Sequence, residues 1–276
     1  MFDVPTCNAM TIAHISDLHF GRIAASGIVE ALVEEANATA PDLVALSGDL
    51  TQRARPSEYE AAQGLLSAIE PPTLVVAGNH DVYPWWRPIR RLWTPLKRYR
   101  LYITDDLAPT FETDAVAVLG LTSAYGASIK GGRITASDRA AMTDYFSGMD
   151  DDRFKVLVVH HQLHPAAIGP ISPHPVARHA QQTLDAAAEM GVHLILSGHL
   201  HTPAITPLDT VSEEPRIVIA SAGTTTSNRY RSPAGPVNFY NVVTVRSDAF
   251  SIEERRYVPN EQQFVRDGVT RFDRAG

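Results

Sequence analysis

The sequence predicts an α/β fold whose strands are covered on both faces, on three observations. Five short apolar runs, at 11–15, 43–46, 74–77, 156–159 and 194–196, are rich in Val, Ile and Leu. They do not alternate with polar residues, as half-solvated strands would, so they read as strands buried on both sides. Between them lie segments with apolar residues at three- and four-residue spacing. After His201 the texture turns to strands without helices, at 216–220, 237–245 and 249–257, so a second sheet is expected.

The elements follow in order. Residues 29–38 and 58–69 carry helical periodicity, the second opened by Pro56 with Ser57 as its N-cap. A third helix spans 177–190 and stops at Gly191. Residues 1–9 read as an N-terminal extension, with Met1 and Met10 both possible starts. Residues 10–259 read as one domain, and the polar, charged stretch 260–276 as a peripheral tail. There is no internal repeat.

A chain of 276 residues buries about three quarters of its unfolded surface and needs no disulfide. Its one cysteine, Cys7, cannot form an intramolecular bridge, and Met1 to Thr6 lack the basic start and apolar stretch of a secretory signal. The cytoplasm is the expected compartment. No apolar run approaches the ~18 residues of a spanning helix, so any membrane contact would be peripheral. A formal charge of −7 argues against stable nucleic-acid binding, which needs clustered cations.

Each of the five apolar runs is followed by metal-ligating residue types: Asp17-Leu18-His19, Gly48-Asp49, Gly78-Asn79-His80-Asp81, His160-His161 and Gly198-His199-Leu200-His201. Strand ends of open α/β sheets are where such sites form. Alternate residues of extended backbone point the same way, so Asp17 and His19 can reach one ion. Gly48 permits a sharp exit from its strand, and the two oxygens of Asp49 can bridge a pair of cations. Asn79 adds a neutral oxygen, and His160, His199 and His201 add nitrogens. This mixed set without thiolate suits Mn, Fe, Zn or Co. Two such ions about 3.5–4 Å apart activate water and clamp an in-line displacement at phosphorus. Asp-x-His, Gly-Asp and a lone loop histidine are each common by chance; Gly-Asn-His-Asp and Gly-His-x-His are rarer, and all five in this order are no coincidence.

In that order the motifs resemble the calcineurin-like metallophosphoesterase superfamily, over residues 11–257. The resemblance implies a four-layer αββα sandwich of two mixed β-sheets flanked by helices. It also implies that Asp17, His19, Asp49 and His201 hold one ion and Asp49, Asn79, His160 and His199 the other. The His14-Ile15-Ser16-Asp17-Leu18-His19 start and the Gly78–Asp81 motif are similar to those of bacterial cyclic-nucleotide and glycerophosphodiester phosphodiesterases. That group commonly follows its paired histidines with prolines, where this chain has Gln162-Leu163. The expected substrate is a small organic phosphodiester.

His80 has the residue type of a general acid for a departing alkoxide. Asp81 either orients it or serves as a turn carboxylate or helix cap. His161 is an alternative ligand to His160, and His14 reads as a core histidine. Residues 85–102 contain all three tryptophans and six basic residues with no acid. Trp86, Ile89, Trp93, Leu96 and Ile103 share a helical spacing interrupted at Pro95. The segment reads either as a packed helix with a solvated basic face, or as a cap that meets an anionic or lipid-like substrate or rests on a membrane. The stretch 162–179, with His164, His174 and His179, is expected beside the metals. The hydroxyls of 221–227 and Arg229 either hold substrate oxygens or form a polar turn.

Three rivals remain. A nucleotide-lipid pyrophosphatase of the UDP-diacylglucosamine hydrolase type often has Arg where this chain has His80. A DNA exonuclease is opposed by net charge, and a non-catalytic scaffold by a full set of ligands.

Overall fold

The computed structural model describes residues 9–150, 152–165, 176–208, 217–231 and 235–274. Residues 1–8 of the N-terminal extension, and His174, lie outside them. The first sheet is built from β1 (Met10–Ile15), β2 (Leu43–Leu46), β3 (Thr73–Val75), β10 (Phe239–Val245), β11 (Ala249–Val258) and β12 (Gln263–Asp273), in the order β12-β11-β10-β1-β2-β3. The second comprises β4 (Thr110–Glu112), β5 (Val116–Leu121), β6 (Phe154–Val159), β7 (Val192–Ser197), β8 (Pro203–Leu208) and β9 (Ile217–Ala222), in the order β4-β5-β6-β7-β9-β8. β1, β2 and β3 run parallel, as do β5, β6, β7 and β9, and the remaining pairs are antiparallel.

The runs lack polar alternation because both of their faces are buried. Ile12, Leu43, Ala45 and Leu74 meet Val116, Val118, Val156, Val158 and Leu194 between the sheets. The intervening Ala13, Ile15, Val44 and Leu46 pack outward against α1 (Ile28–Thr39) and α2 (Pro56–Ala68). On the opposite side Ala117, Leu119, Leu157 and Ile195 pack against α5 (Ala136–Ser147) and α6 (Ala180–Glu189). These four layers are the expected αββα sandwich. His14 is a satisfied core group, with Nε2 2.9 Å from Ser47 Oγ.

Four expectations are corrected. The N-cap of α2 is Arg55, not Ser57, and the Glu58 carboxylate turns back to accept from Arg55 N at 3.1 Å. α6 begins at Ala180 rather than 177, because Ala177 N and Arg178 N donate to Gln162 O and Gly132 O, away from any helix. The stretch after Pro259, expected as a peripheral tail, instead forms β12, which pairs with β11 as the sheet's edge strand and buries Phe264 in the core. Residues 85–102 form α3 (Pro88–Trp93) and α4 (Lys97–Tyr102), broken around Pro95, but their facing is inverted. Trp86, Ile89 and Trp93 lie in solvent while Arg91 is buried. No helix among the described residues is long and apolar enough to cross a membrane.

Candidate metal centre

The loops leaving the C-terminal ends of β1, β2, β3, β6 and β7 converge at one end of the two sheets. Asp17, His19, Asp49, His199 and His201 all adopt left-handed backbone, with φ between 47° and 69°. Such conformations cost non-glycine residues of order 1–3 kcal/mol and persist where surrounding structure imposes them. Here Asp17 N donates to Gly48 O at 3.0 Å and His19 N to Asp49 O at 2.9 Å, buckling two loops together. Gly78 allows this closeness: a Cβ there would stand 2.1 Å from Asp49 Oδ1.

Backbone carbonyls orient the imidazoles. Nδ1 of His19 faces Thr51 O at 3.3 Å, that of His160 faces Ser47 O at 2.8 Å, and that of His201 faces Arg229 O at 2.5 Å. A carbonyl accepts only from N–H, so each ring carries a proton on Nδ1 and turns Nε2 inward, the arrangement that prepares histidine for a metal. Nε2 of His19 and of His201 then stand 3.1 Å apart, and Asp17 Oδ1 lies 3.1 Å from His201 Nε2 and 3.5 Å from His19 Nε2. Asp49 Oδ2 lies 3.6 Å from His19 Nε2 and 3.4 Å from His160 Nε2, between the two groups of histidines. Asn79 Oδ1 is 3.2 Å from His160 Nε2.

Asp17 Oδ1 and Asp49 Oδ2 are buried without a hydrogen-bond partner among the described residues. Burial alone raises a carboxyl pKa, yet His201 and His19 beside Asp17, and His160 beside Asp49 with its own pKa raised to about 9, hold both carboxylates well below the usual range. Two buried anions among inward-facing imidazole nitrogens suit cations. The donor atoms form two tight groups, Asp17, His19, Asp49 and His201 in one and His160, His161 and His199 in the other. His161 therefore stands beside His160 rather than replacing it. Its Nδ1 is 2.8 Å from Ser123 Oγ, and burial, then the neighbouring His160, lower its pKa to about 3.

His80 sits above this centre, edge-on to His19 with ring centroids 4.8 Å apart. Asp81 does not touch its imidazole. The Asp81 carboxylate accepts from Thr51 N at 2.9 Å, Thr51 Oγ1 at 3.0 Å, Gly78 N at 2.9 Å and Leu50 N at 3.2 Å. It clamps the His80 loop to the Asp49 loop. Gln52 O, 2.8 Å from Nδ1, orients the His80 ring instead, and Arg229 Nη1 lies 2.6 Å from its Nε2. The hydroxyls of Thr224 and Thr226 are spent on Asp17 O and Leu18 O, and Thr225 Oγ1 accepts from Ser16 N. The loop after β9 is thus the polar turn, and it delivers Arg229.

A cleft of about 190 Å³ opens over the centre, lined by Asp49, Asn79, His80, His199 and His201 with Arg53, Trp85, Ile129, Lys130 and Arg229. No described residue of 162–179 lines it; Gln162 instead donates to Ser197 Oγ and Gly198 O, both at 2.8 Å. Arg53, Ile129 and Lys130 carried no sequence motif. They are brought in by the fold, Ile129 through its carbonyl, which accepts from Asn79 Nδ2 at 3.1 Å.

Several known proteins are similar to this chain. A glycerophosphodiester phosphodiesterase of Enterobacter lignolyticus is 38% identical over 82 residues, 26% of this chain and 30% of that protein. The match therefore spans less than a third of that relative's length. A probable cyclic nucleotide phosphodiesterase of Synechococcus is 27% identical over 202 residues, 70% of this chain and 73% of its own. The fold matches a purple acid phosphatase of yellow lupin with TM-score 0.71 at 10% identity, over 97% of this chain and 54% of that one. It also matches a dimetal phosphatase of Danio rerio with TM-score 0.66 at 14% identity, over 96% and 99%. With the calcineurin-like phosphoesterase family model matching residues 10–203, and a buried His/Asp cluster at the strand ends those residues span, this chain belongs to that family of hydrolases.

Proposed function

We propose that the chain hydrolyses a small organic phosphodiester, a cyclic nucleotide or a glycerophosphodiester, at a pair of divalent or transition metal ions. Asp17, His19, Asp49 and His201 would hold one ion and Asp49, Asn79, His160 and His199 the other, with Asp49 bridging. The supporting observation is the opposition of His19 and His201: their Nε2 atoms are 3.1 Å apart while carbonyls fix both protons on the far side of the rings. A single shared proton would relieve that pair but leave Asp17 Oδ1 and Asp49 Oδ2 unsatisfied; two cations relieve all of them. Imidazole, amide and carboxylate donors suit Mn, Fe, Zn or Co. When bound, such a pair supplies Lewis acidity toward a phosphoryl oxygen and lowers the pKa of a water.

The chain's own groups do the rest. Arg229 is placed to grip a non-bridging phosphate oxygen, a bidentate contact that guanidinium favours. Drawn onto the phosphate, it frees His80 Nε2 to take up a proton from solvent, favoured by the substrate's negative charge, and to pass that proton to the leaving oxygen. Asp81 keeps that imidazole's loop in place. Of residues 85–102 only Trp85 and Arg91 line the cleft, so the cap role narrows to Trp85, which would meet the non-phosphate part of the substrate together with Ile129 and Lys130. The cleft's small volume supports a small diester, and the names of the two relatives support the diester class. The single cysteine supports the cytoplasm as the compartment.

The test is turnover by metal-reconstituted protein on matched monoester, diester, cyclic-nucleotide, glycerophosphodiester and nucleotide-lipid substrates. Preference for one of the two diester classes over its matched monoester is expected. A dominant monoesterase activity, or a preference for nucleotide-lipid pyrophosphates, would displace this function.

A further inference from the structure

We infer that the outer face of α3 and α4 is a docking surface for an anionic lipid bilayer, set at the rim of the catalytic cleft. The proposal stands on this surface and not on the reaction. Eight large hydrophobic side chains are exposed among the described residues, and six of them, Trp85, Trp86, Ile89, Leu92, Trp93 and Leu101, belong to this one segment. Ile89 is 75% exposed, Trp93 82% and Leu101 74%. Apolar side chains scattered singly need no explanation, but a contiguous patch marks an interaction surface.

The outward facing is imposed by the contacts beneath. The Arg91 guanidinium is buried and donates to Tyr83 O and Ser128 O. Tyr99 Oη donates to Val75 O at 3.0 Å, Arg98 Nη1 to Ala54 O at 2.6 Å, and Tyr83 N to Pro95 O at 3.1 Å. These polar groups and the buried Leu96 fasten the inner face, so the tryptophans and leucines cannot turn inward without dismantling it.

The exposed apolar residues are interleaved with exposed Arg87, Arg90, Lys97 and Arg100. Of these only Arg100 forms an ion pair among the described residues, with Asp105 at 3.8 Å and exposed. Trp, Leu and Ile beside Arg and Lys is the composition that settles at a bilayer interface, with rings at headgroup depth and cations among phosphates. Each cation near an anionic surface adds to the attraction, and the attraction is screened by salt. A second copy of this chain fits less well, because two-fold pairing through this face brings like charges together. A groove of about 720 Å³ opens on the same face, lined by Trp93, Leu96, Lys97, Arg100, Leu101 and Leu107. Trp85 belongs both to the patch and to the cleft wall, so docking would hold the cleft mouth near the membrane surface.

All three tryptophans of the chain lie in the patch, so tryptophan fluorescence, excited selectively over tyrosine, reports on it alone. The experiment adds vesicles of phosphatidylcholine, with or without an equal part of phosphatidylglycerol, and follows emission and flotation. A blue shift and flotation with the anionic vesicles are expected, weakening as salt is raised. The Ile89→Glu/Trp93→Glu/Leu101→Glu variant should lose at least tenfold in vesicle affinity while its circular dichroism and turnover of a soluble diester stay unchanged. Arg87→Ser with Lys97→Ser should remove most of the preference for phosphatidylglycerol with the apolar residues intact. Failure of the wild-type protein to float with anionic vesicles at low salt would overturn the inference. So would undiminished flotation of both variants, or patch-dependent self-association in sedimentation velocity without vesicle binding.

Discussion

Arg229 sets its Nη1 2.6 Å from Nε2 and 3.3 Å from Nδ1 of His80, the imidazole whose proton the Gln52 carbonyl fixes. Burial first, and the nearby charge of Arg229 after it, lower the His80 pKa to about 3 against the pull of Asp49. With no anion in the cleft, then, His80 is neutral and accepts from Arg229. The two residues form a unit in which one cation serves either the imidazole or a phosphate.

This pairing separates two kinds of loss. His80→Ala should slow hydrolysis by about 10²–10⁴, the usual contribution of a general acid, and most severely with alkoxide leaving groups. Arg229→Ala should slow it by about 10²-fold whatever the leaving group, since it acts on phosphate charge. Rates on a nitrophenyl and an alkyl diester, with metal content measured beside them, decide the matter. Equal slowing of both substrates in His80→Ala would reassign that residue to phosphate positioning.

The bridging role of Asp49 predicts unequal metal loss. Asp49→Ala should lower occupancy of both positions, whereas His19→Ala should spare the position built from Asn79, His160 and His199. Elemental analysis of the two purified variants measures this directly. Two ions per chain retained in Asp49→Ala would remove the bridge.

The buried His/Asp cluster was legible because its residues sit directly behind buried strands, where a one-dimensional pattern survives folding. The pocket wall was not. Arg53, Ile129 and Lys130 reach the cleft from loops with no periodicity, and Arg91 is buried in a helix whose apolar spacing suggested the reverse facing. That inversion arises because carbonyls of Tyr83 and Ser128 offer the guanidinium hydrogen bonds that no apolar side chain can make. α5 left a local signal that periodicity does not capture: only Met142 and Phe146 of it are buried. Its start is a capping box, in which Asp138 N donates to Thr135 Oγ1 at 3.2 Å and Thr135 N to Asp138 Oδ2 at 2.7 Å.

Asp81 is expected to act through the loop it holds and not on the substrate. Asp81→Asn replaces one acceptor oxygen by a donor amide among three backbone N–H groups and the Thr51 hydroxyl, a change that costs about 1–3 kcal/mol for each unsatisfied buried donor. Thermal stability should fall, and kcat should fall by a similar factor on nitrophenyl and alkyl diesters. Selective slowing of the alkyl diester, as in His80→Ala, would give Asp81 a part in proton transfer.

The last prediction is acid sensitivity set away from the metal centre. His193 stacks on Phe154 with centroids 4.8 Å apart and accepts from Lys155 N at Nδ1, 3.2 Å away. Burial, then the charges of Arg274 and Lys155, lower its pKa to about 4. The folded state therefore holds it neutral at pH values where the unfolded chain, with a histidine pKa near 6.5, binds a proton. Because the unfolded state binds more protons in that window, the contribution is complete above about pH 6.5 and is lost as pH falls toward 4. Each tenfold difference in proton affinity between the two states is worth about 1.4 kcal/mol, so the contribution is at most about 3–4 kcal/mol. His193→Asn keeps an acceptor near the place of Nδ1 and does not titrate. Urea unfolding of the metal-free protein at pH 7, 5.5 and 4.5 should show a shallower decline for this variant than for the wild type, and parallel declines would place the acid sensitivity elsewhere in the chain.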